Sequence, residues 1–132
     1  AWLRLAFVGL PAGRCNAALE KWQSPAALLG AAHEGRDSEL LSTQGITPTT
    51  VERLREAATR DIEKALSAMS THNIRVLLRD DEDYPQALRA IPDPPPYLFV
   101  RGTIEARDEV AVAIVGTRHT TEYGRGLASQ FA

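Results

Sequence analysis

The stretch AVAIVGTRHTTEYGRG, residues 111–126, decides the fold of this sequence. An apolar run ends at Gly116, a polar turn follows, and two further glycines stand where a helix is predicted to begin. Residues 110–116 lack a polar side chain, as expected for a strand buried on both faces of a parallel sheet. We therefore predict a strand–loop–helix unit whose helix starts near Tyr123–Gly124.

The polar turn has the composition of an anion-binding loop. In α/β folds, ligands bind at the carboxyl ends of strands, opposite a helix N-terminus that favours negative charge. Arg118 adds a guanidinium suited to phosphate oxygens, and Thr117, Thr120 and Thr121 add hydroxyl donors. The alternative is a plain turn in which Arg118 pairs with a carboxylate such as Glu122.

Three familiar loop motifs do not fit this turn. The glycines are spaced wrongly for the dinucleotide fingerprint G-x-G-x-x-G. The sequence contains no Gly-Lys pair, which a P-loop requires, and the turn is not the G-x-S-x-G elbow of a hydrolase.

The sequence before this unit divides into two parts. Apolar spacing predicts helices over residues 2–70, including one that starts at Ser24-Pro25 and another that runs through Val51, Leu54, Ala58, Ile62, Ala65 and Met69. The second helix has two rival starts, a Thr49–Glu52 capping box and Thr47-Pro48. Short strands are predicted at 74–78 and 97–102, with a proline segment at 92–96 between them.

Composition excludes several classes of protein. The protein has 132 residues and a net charge of -2, so no basic arm is available to bind nucleic acid by charge alone. Cys15 is the single cysteine, which agrees with a reducing cytoplasm. No apolar run is long enough to predict a membrane span. The sequence begins at Ala1 and ends within a predicted helix, so we expect a fragment of a longer protein.

Two ordered segments, DYPQALRAIPDPPPYLFVRG at 83–102 and VAIVGTRHTTEYGR at 112–125, resemble the DprA/Smf family of DNA-processing proteins. The shared pattern is Tyr-Pro-x-x-Leu, Ile-Pro-Asp-Pro-Pro, an apolar strand with a glycine, and Ala-Ile-Val-Gly-[Ser/Thr]-Arg with a downstream Tyr-Gly. The resemblance covers about the last fifty residues.

The resemblance implies an α/β protein in which an N-terminal helical module, SAM-like or helix-hairpin-helix-like, precedes an extended Rossmann-like domain with a parallel sheet. On this interpretation, residues 1–71 are the helical module and residues 72–132 are the truncated start of the second domain. Further pocket residues of the family lie in a later segment that this sequence lacks.

The implied function is binding of incoming single-stranded DNA in natural transformation, with its protection and the loading of RecA recombinase. The resemblance implies no catalytic residue, cofactor or metal, leaves room for a homodimer, and predicts no membrane partner. By the motif, Arg118 lines a pocket that accepts a DNA phosphate. The full predicted phosphate-binding set is Gly116, Thr117, Arg118, Thr121, Tyr123 and Gly124.

For the remaining features we predict structural roles. Trp2 and Trp22 are expected in the core, Tyr84 and Tyr97 near the proline turn, and residues 80–83 in a solvated turn. The helical module has no basic Gly-Ile-Gly hairpin, so docking of a partner or a spacer role is favoured for it. Two other functions stay open: a Rossmann-like nucleotide hydrolase, and a protein-interaction module with an empty loop.

Overall fold

The computed structural model describes residues 1–110 and 112–131, and the predicted second domain therefore includes two residues, 111 and 132, that lie outside the described ones. The first half is helical, as predicted, and the second half contains a two-stranded sheet followed by a long loop and a helix. The elements, in sequence order, are α1 Trp2–Val8, α2 Ala12–Trp22, α3 Pro25–His33, α4 Asp37–Leu41, α5 Pro48–Thr59, α6 Glu63–Thr71, β1 Ile74–Leu78, α7 Gln86–Arg89, β2 Tyr97–Arg101, a 3₁₀ turn Ala106–Glu109 and α8 Glu122–Phe131.

Helices α3 and α5 begin at the residue types that the sequence indicates. The Ser24 hydroxyl accepts a hydrogen bond of 3.1 Å from the Ala27 amide, and Pro25 follows at the first helical position. Thr47 has the same role in α5, with Pro48 after it, so the Thr47-Pro48 start is correct and the Thr49 capping box is not used. Both caps satisfy an amide that the helix itself leaves without a partner.

The predicted helix through Val51 and Met69 is in fact two helices. Helix α5 ends at Thr59, and Arg60 adopts an extended conformation with a ψ of 131°. The Asp61 carboxylate accepts a hydrogen bond of 2.9 Å from the Glu63 amide. This local side-chain bond competes with a continuous helix, although the apolar spacing continues across the break.

The hydrophobic core lies among the first five helices. Helix α3 packs against α5, and α1 packs against both. Trp22 is in the core as predicted, and its indole N–H donates a hydrogen bond of 3.1 Å to the buried Thr43 hydroxyl. Trp2 packs against the edge of the same core, also as predicted. Other core residues include Leu5, Val8, Cys15, Leu28, Leu40 and Leu54.

Strands β1 and β2 form an antiparallel pair in which Ile74 lies opposite Arg101 and Leu78 lies opposite Tyr97. Their positions agree with the sequence prediction. The described residues contain an α/β mixture, but this pair is their one sheet, and it is not parallel. The reason is the connection: a short turn, α7 and the proline segment return the backbone beside β1 rather than crossing over the sheet.

The predicted strand at 110–116 is not a strand in the described part of that segment. Residues 112–116 have no sheet partner among the described residues, and the side chains of Val112 and Val115 are 88% and 90% exposed. The prediction of a doubly buried strand is therefore wrong for this structure, because a strand of that kind needs hydrogen-bonded neighbours on both sides. No helix in the described ranges is both long and apolar enough to cross a bilayer.

Candidate phosphate-binding loop

The candidate loop connects residue 112 to α8. The Thr121 hydroxyl accepts a hydrogen bond of 3.2 Å from the Gly124 amide, and the Thr121 carbonyl accepts one of 3.0 Å from the Arg125 amide. Thr121 therefore caps α8, which begins one residue before the predicted start. The cap occupies an acceptor of the hydroxyl and leaves its proton available for an anion.

The other predicted hydroxyl of the set also has a local partner. The Thr117 hydroxyl donates to the His119 carbonyl oxygen over 2.9 Å, within the loop. Gly124 has a steric reason to be glycine, since a Cβ there would lie 2.8 Å from the Thr120 Oγ1. Gly116 faces open space, with no atom within 4 Å of the position of a Cβ. A phosphate can therefore approach the backbone closely at Gly116.

Arg118 is exposed and makes no ion pair within residues 1–110 and 112–131. The alternative interpretation, in which Arg118 pairs with Glu122, is not observed. Tyr123 is 77% exposed and lies in the first turn of α8. Both side chains are accessible to a ligand in solution.

A groove of about 750 Å³ separates residues 112–117 from α8. Three residues of the predicted set line it: Gly116, Thr117 and Gly124. The other three, Arg118, Thr121 and Tyr123, are not among its lining residues. Thr120 and Arg125 line the groove although the predicted set omits them. The turn composition indicates Thr120 as a hydroxyl donor, and Arg125 is a cation just inside the predicted helix.

The groove is mainly apolar, because the inward face of α8 presents Leu127, Ala128 and Phe131 at helical spacing. None of the described residues that line it is a carboxylate. Glu122 in the first turn of α8 carries a negative charge. It reduces the positive potential that the helix N-terminus, Arg118 and Arg125 produce there. Within the described residues, no cluster of three metal-ligating side chains exists.

The proline segment at 92–96 joins the hairpin to the helices. The buried Tyr84 donates its hydroxyl proton to the Pro95 carbonyl oxygen over 2.8 Å, and the Arg79 amide donates to the Pro96 carbonyl oxygen. Burial raises the pKa of the Tyr84 hydroxyl. Tyr97, directly after the segment, packs its ring against Trp2 with a centroid separation of 5.4 Å. The predicted structural roles of Tyr84 and Tyr97 are therefore confirmed.

The acidic turn at 80–83 is solvated, as predicted. Asp81 accepts a hydrogen bond of 2.7 Å from the Leu78 amide, and Asp83 approaches Arg75 at 3.5 Å. These contacts stabilise the turn after β1. All four side chains at 80–83 are exposed, so they do not form a buried carboxylate pair.

Comparison with known proteins adds an independent observation. The model of the family described as DNA recombination-mediator protein A matches residues 75–132, which include the loop and the proline segment. Protein Smf of Synechocystis sp. is 43% identical over 56 residues, covering 14% of that protein and 39% of this chain. Protein Smf of Escherichia coli K12 is 28% identical over 123 residues, covering 31% of that protein and 93% of this chain. The protein described here thus spans less than a third of the length of either relative. No solved structure matches.

Proposed function

Because the protein belongs to the DprA/Smf family of DNA recombination mediators, we propose that it forms part of a protein that binds single-stranded DNA through the loop at residues 116–124. One backbone phosphate lies beside Arg118 and the N-terminus of α8. The Thr121 hydroxyl donates to the same phosphate, the Thr117 hydroxyl does so once it turns away from the His119 carbonyl oxygen, and Tyr123 lies at the far end of the loop.

The accessibility of Arg118 is the observation that supports this proposal. A guanidinium in solution with no carboxylate partner among the described residues is available for charge-assisted hydrogen bonds to phosphate. The open space at Gly116 and the positive end of a ten-residue helix favour an anion at the same place. Phosphate recognition of this kind does not depend on base sequence, as handling of incoming DNA requires.

The nucleotide hydrolase is the weaker alternative. Hydrolysis of a nucleotide needs a general base or a metal-binding carboxylate near the phosphate. Salt dependence separates the two functions, since binding to a phosphate backbone gives a steep log–log slope and a nucleotide pocket gives a shallow one.

The proposal extends to the whole protein. We infer that it protects single-stranded DNA in the cytoplasm, helps to load RecA recombinase and can form a homodimer. In that protein, residues 1–71 form a SAM-like module and residues 72–132 begin a Rossmann-like domain.

The test is titration of a fluorescein-labelled oligothymidylate with the full-length protein, followed by anisotropy at about 50 and 200 mM salt. Arg118→Ala should weaken binding roughly tenfold or more, because a charge-assisted hydrogen bond is lost. It should also reduce the log–log salt slope by about 0.7. Arg107→Ala is the matched control, since Arg107 is exposed but pairs with Glu105 at 2.9 Å. Equal affinities of the Arg118 variant and wild type would refute the proposal.

A further inference from the structure

Five of the six arginines of the helical half, all except Arg14, fall into two groups. Arg36 pairs with Glu39 at 2.6 Å, and Arg55 pairs with Asp37 at 2.6 Å, on the side of the helices that includes α4. Arg4, Arg53 and Arg60 make no ion pair within the described residues. These three arginines come together along α1 and the end of α5.

Contacts between α1 and α5 fix the positions of these arginines. The Arg60 guanidinium lies 4.1 Å from the centroid of the Phe7 ring, and the Arg4 Nε donates a hydrogen bond of 3.2 Å to the Arg60 carbonyl oxygen. The Arg53 Nη2 lies 3.1 Å from where a Cβ on Gly9 would be. Phe7 is 40% exposed, although it is a large apolar side chain. Arg4, Phe7, Arg53 and Arg60 form what we call the arginine face.

The acidic residues nearest to the arginine face in the sequence make no ion pair with it among the described residues. Glu56 lies three residues after Arg53 and four before Arg60 on α5, spacings at which ion pairs normally form. Neither pair is made, since Arg60 stacks on Phe7 and Arg53 lies over Gly9. Asp61 is turned towards the Glu63 amide. Arg53 and Arg60 are thus directed to α1 rather than to Glu56.

We propose that the arginine face is a second contact for the DNA strand that binds at Arg118. This inference rests on the proposed function of the loop. Arginines without carboxylate partners bind successive phosphates, and an aromatic ring stacked with a guanidinium offers a platform for an unpaired base. Accessible bases distinguish a single strand from a duplex, whose bases are stacked on one another. An exposed aromatic between cations therefore fits a single strand.

The experiment uses the full-length protein and two labelled oligothymidylates. The long one extends beyond the loop to the arginine face, and the short one covers the loop alone. Arg53→Ala/Arg60→Ala should reduce the log–log salt slope for the long oligonucleotide by about 1.4, because two phosphate contacts to a single strand are lost. The short oligonucleotide should bind with unchanged affinity. Phe7→Ser should weaken binding of the long oligonucleotide without changing the salt slope. Melting temperatures from circular dichroism verify that each variant is folded.

The matched control is Arg36→Ala/Arg55→Ala, which removes the same charge from the helical half but from arginines that have carboxylate partners. If the two double variants have identical salt slopes, the proposal is overturned, even if Arg118→Ala still weakens binding. The arginine face would then bind a partner other than DNA. A reduced slope for Arg53→Ala/Arg60→Ala, with no effect of Arg118→Ala, would refute the loop and, with it, a strand shared by the loop and the arginine face. The two sets of variants therefore distinguish failure of the loop from failure of the arginine face.

Discussion

Asn16 on α2 donates a hydrogen bond of 2.9 Å from its Nδ2 to the carbonyl oxygen of Pro94, a residue 78 positions later in the sequence. The carboxylate of the neighbouring Asp93 lies close to Gly13, with Oδ1 3.0 Å from where a Cβ on Gly13 would be. The Ile-Pro-Asp-Pro-Pro motif, which indicates the family, therefore holds the hairpin against the first turns of α2.

Replacement of Asn16 tests this attachment. Asn16→Ala should lower the free energy of unfolding by about 1 kcal/mol, because one hydrogen bond is lost. Asn16→Asp should cost more at pH 7, since a carboxylate cannot donate to the Pro94 carbonyl oxygen and is only partly solvated there. Urea unfolding at pH 7 and pH 4 measures both variants. An Asn16→Ala variant as stable as wild type would show that the bond does not hold the two parts together.

The hydrogen bond between Trp22 and Thr43 is the second target. Thr43→Val removes the acceptor and leaves a buried indole N–H without a partner, which should cost about 1–3 kcal/mol. The double variant with Trp22→Phe removes the donor as well, so its cost should be less than the sum of the two single changes. Guanidinium unfolding of the four proteins completes the cycle. Strict additivity would mean that the indole does not depend on Thr43.

Two glycines should respond to alanine in opposite directions. Gly45 has a φ of +80°, and a Cβ there would lie 2.8 Å from the Arg14 Cγ, so Gly45→Ala should destabilise by about 1–2 kcal/mol. Gly30 lies within α3 and faces no atom within 4 Å, so Gly30→Ala should stabilise by up to about 1 kcal/mol. Thermal unfolding, followed by circular dichroism, shows whether each substitution raises or lowers the melting temperature. If Gly45→Ala were neutral, the turn before α5 would be different from the one described.

Alkaline pH should weaken the fold through Cys15. Burial raises the pKa of its thiol from an ordinary value of 9.0 to about 11. The stabilisation is complete below the lower value and is lost as pH rises towards the higher one, by an amount of order 3 kcal/mol. Tyr97, whose pKa is also raised mainly by burial, adds a loss in the same direction. Urea unfolding from pH 8 to 11 should show a smaller decline for Cys15→Ala than for wild type. Equal declines would assign the effect to other groups.

Local chemistry explains which elements were predictable from the sequence. Ser24-Pro25 and Thr47-Pro48 specify helix starts within a few residues, and the five-residue strands before and after the proline segment are bounded by strong turn formers. The break at Arg60 was not predictable, because it depends on Asp61 and on the Phe7 ring from a distant helix. The arginine face had no sequence signal either, since its members are spread over more than fifty positions.

The candidate loop was predicted in part. A glycine and an arginine after an apolar run indicate an anion site, and the structure leaves Arg118 in solution. The apolar spacing could not reveal whether residues 112–116 pair with strands, since pairing depends on neighbours far away in the sequence. The predicted set also omits Arg125 and Thr120, although the turn composition indicates Thr120 as a hydroxyl donor.

The exposed valines give the sharpest test of that region. With 90% of its side chain exposed, Val115 should tolerate alanine in this protein with a change below about 0.5 kcal/mol in the free energy of unfolding. Leu54→Ala, at a fully buried position, should cost about 2–5 kcal/mol. Urea unfolding of both variants distinguishes the described loop from the strand that the sequence predicts. A cost above about 2 kcal/mol for Val115→Ala would show that the residue is buried, because a large-to-small change costs that much only where atoms pack around the side chain.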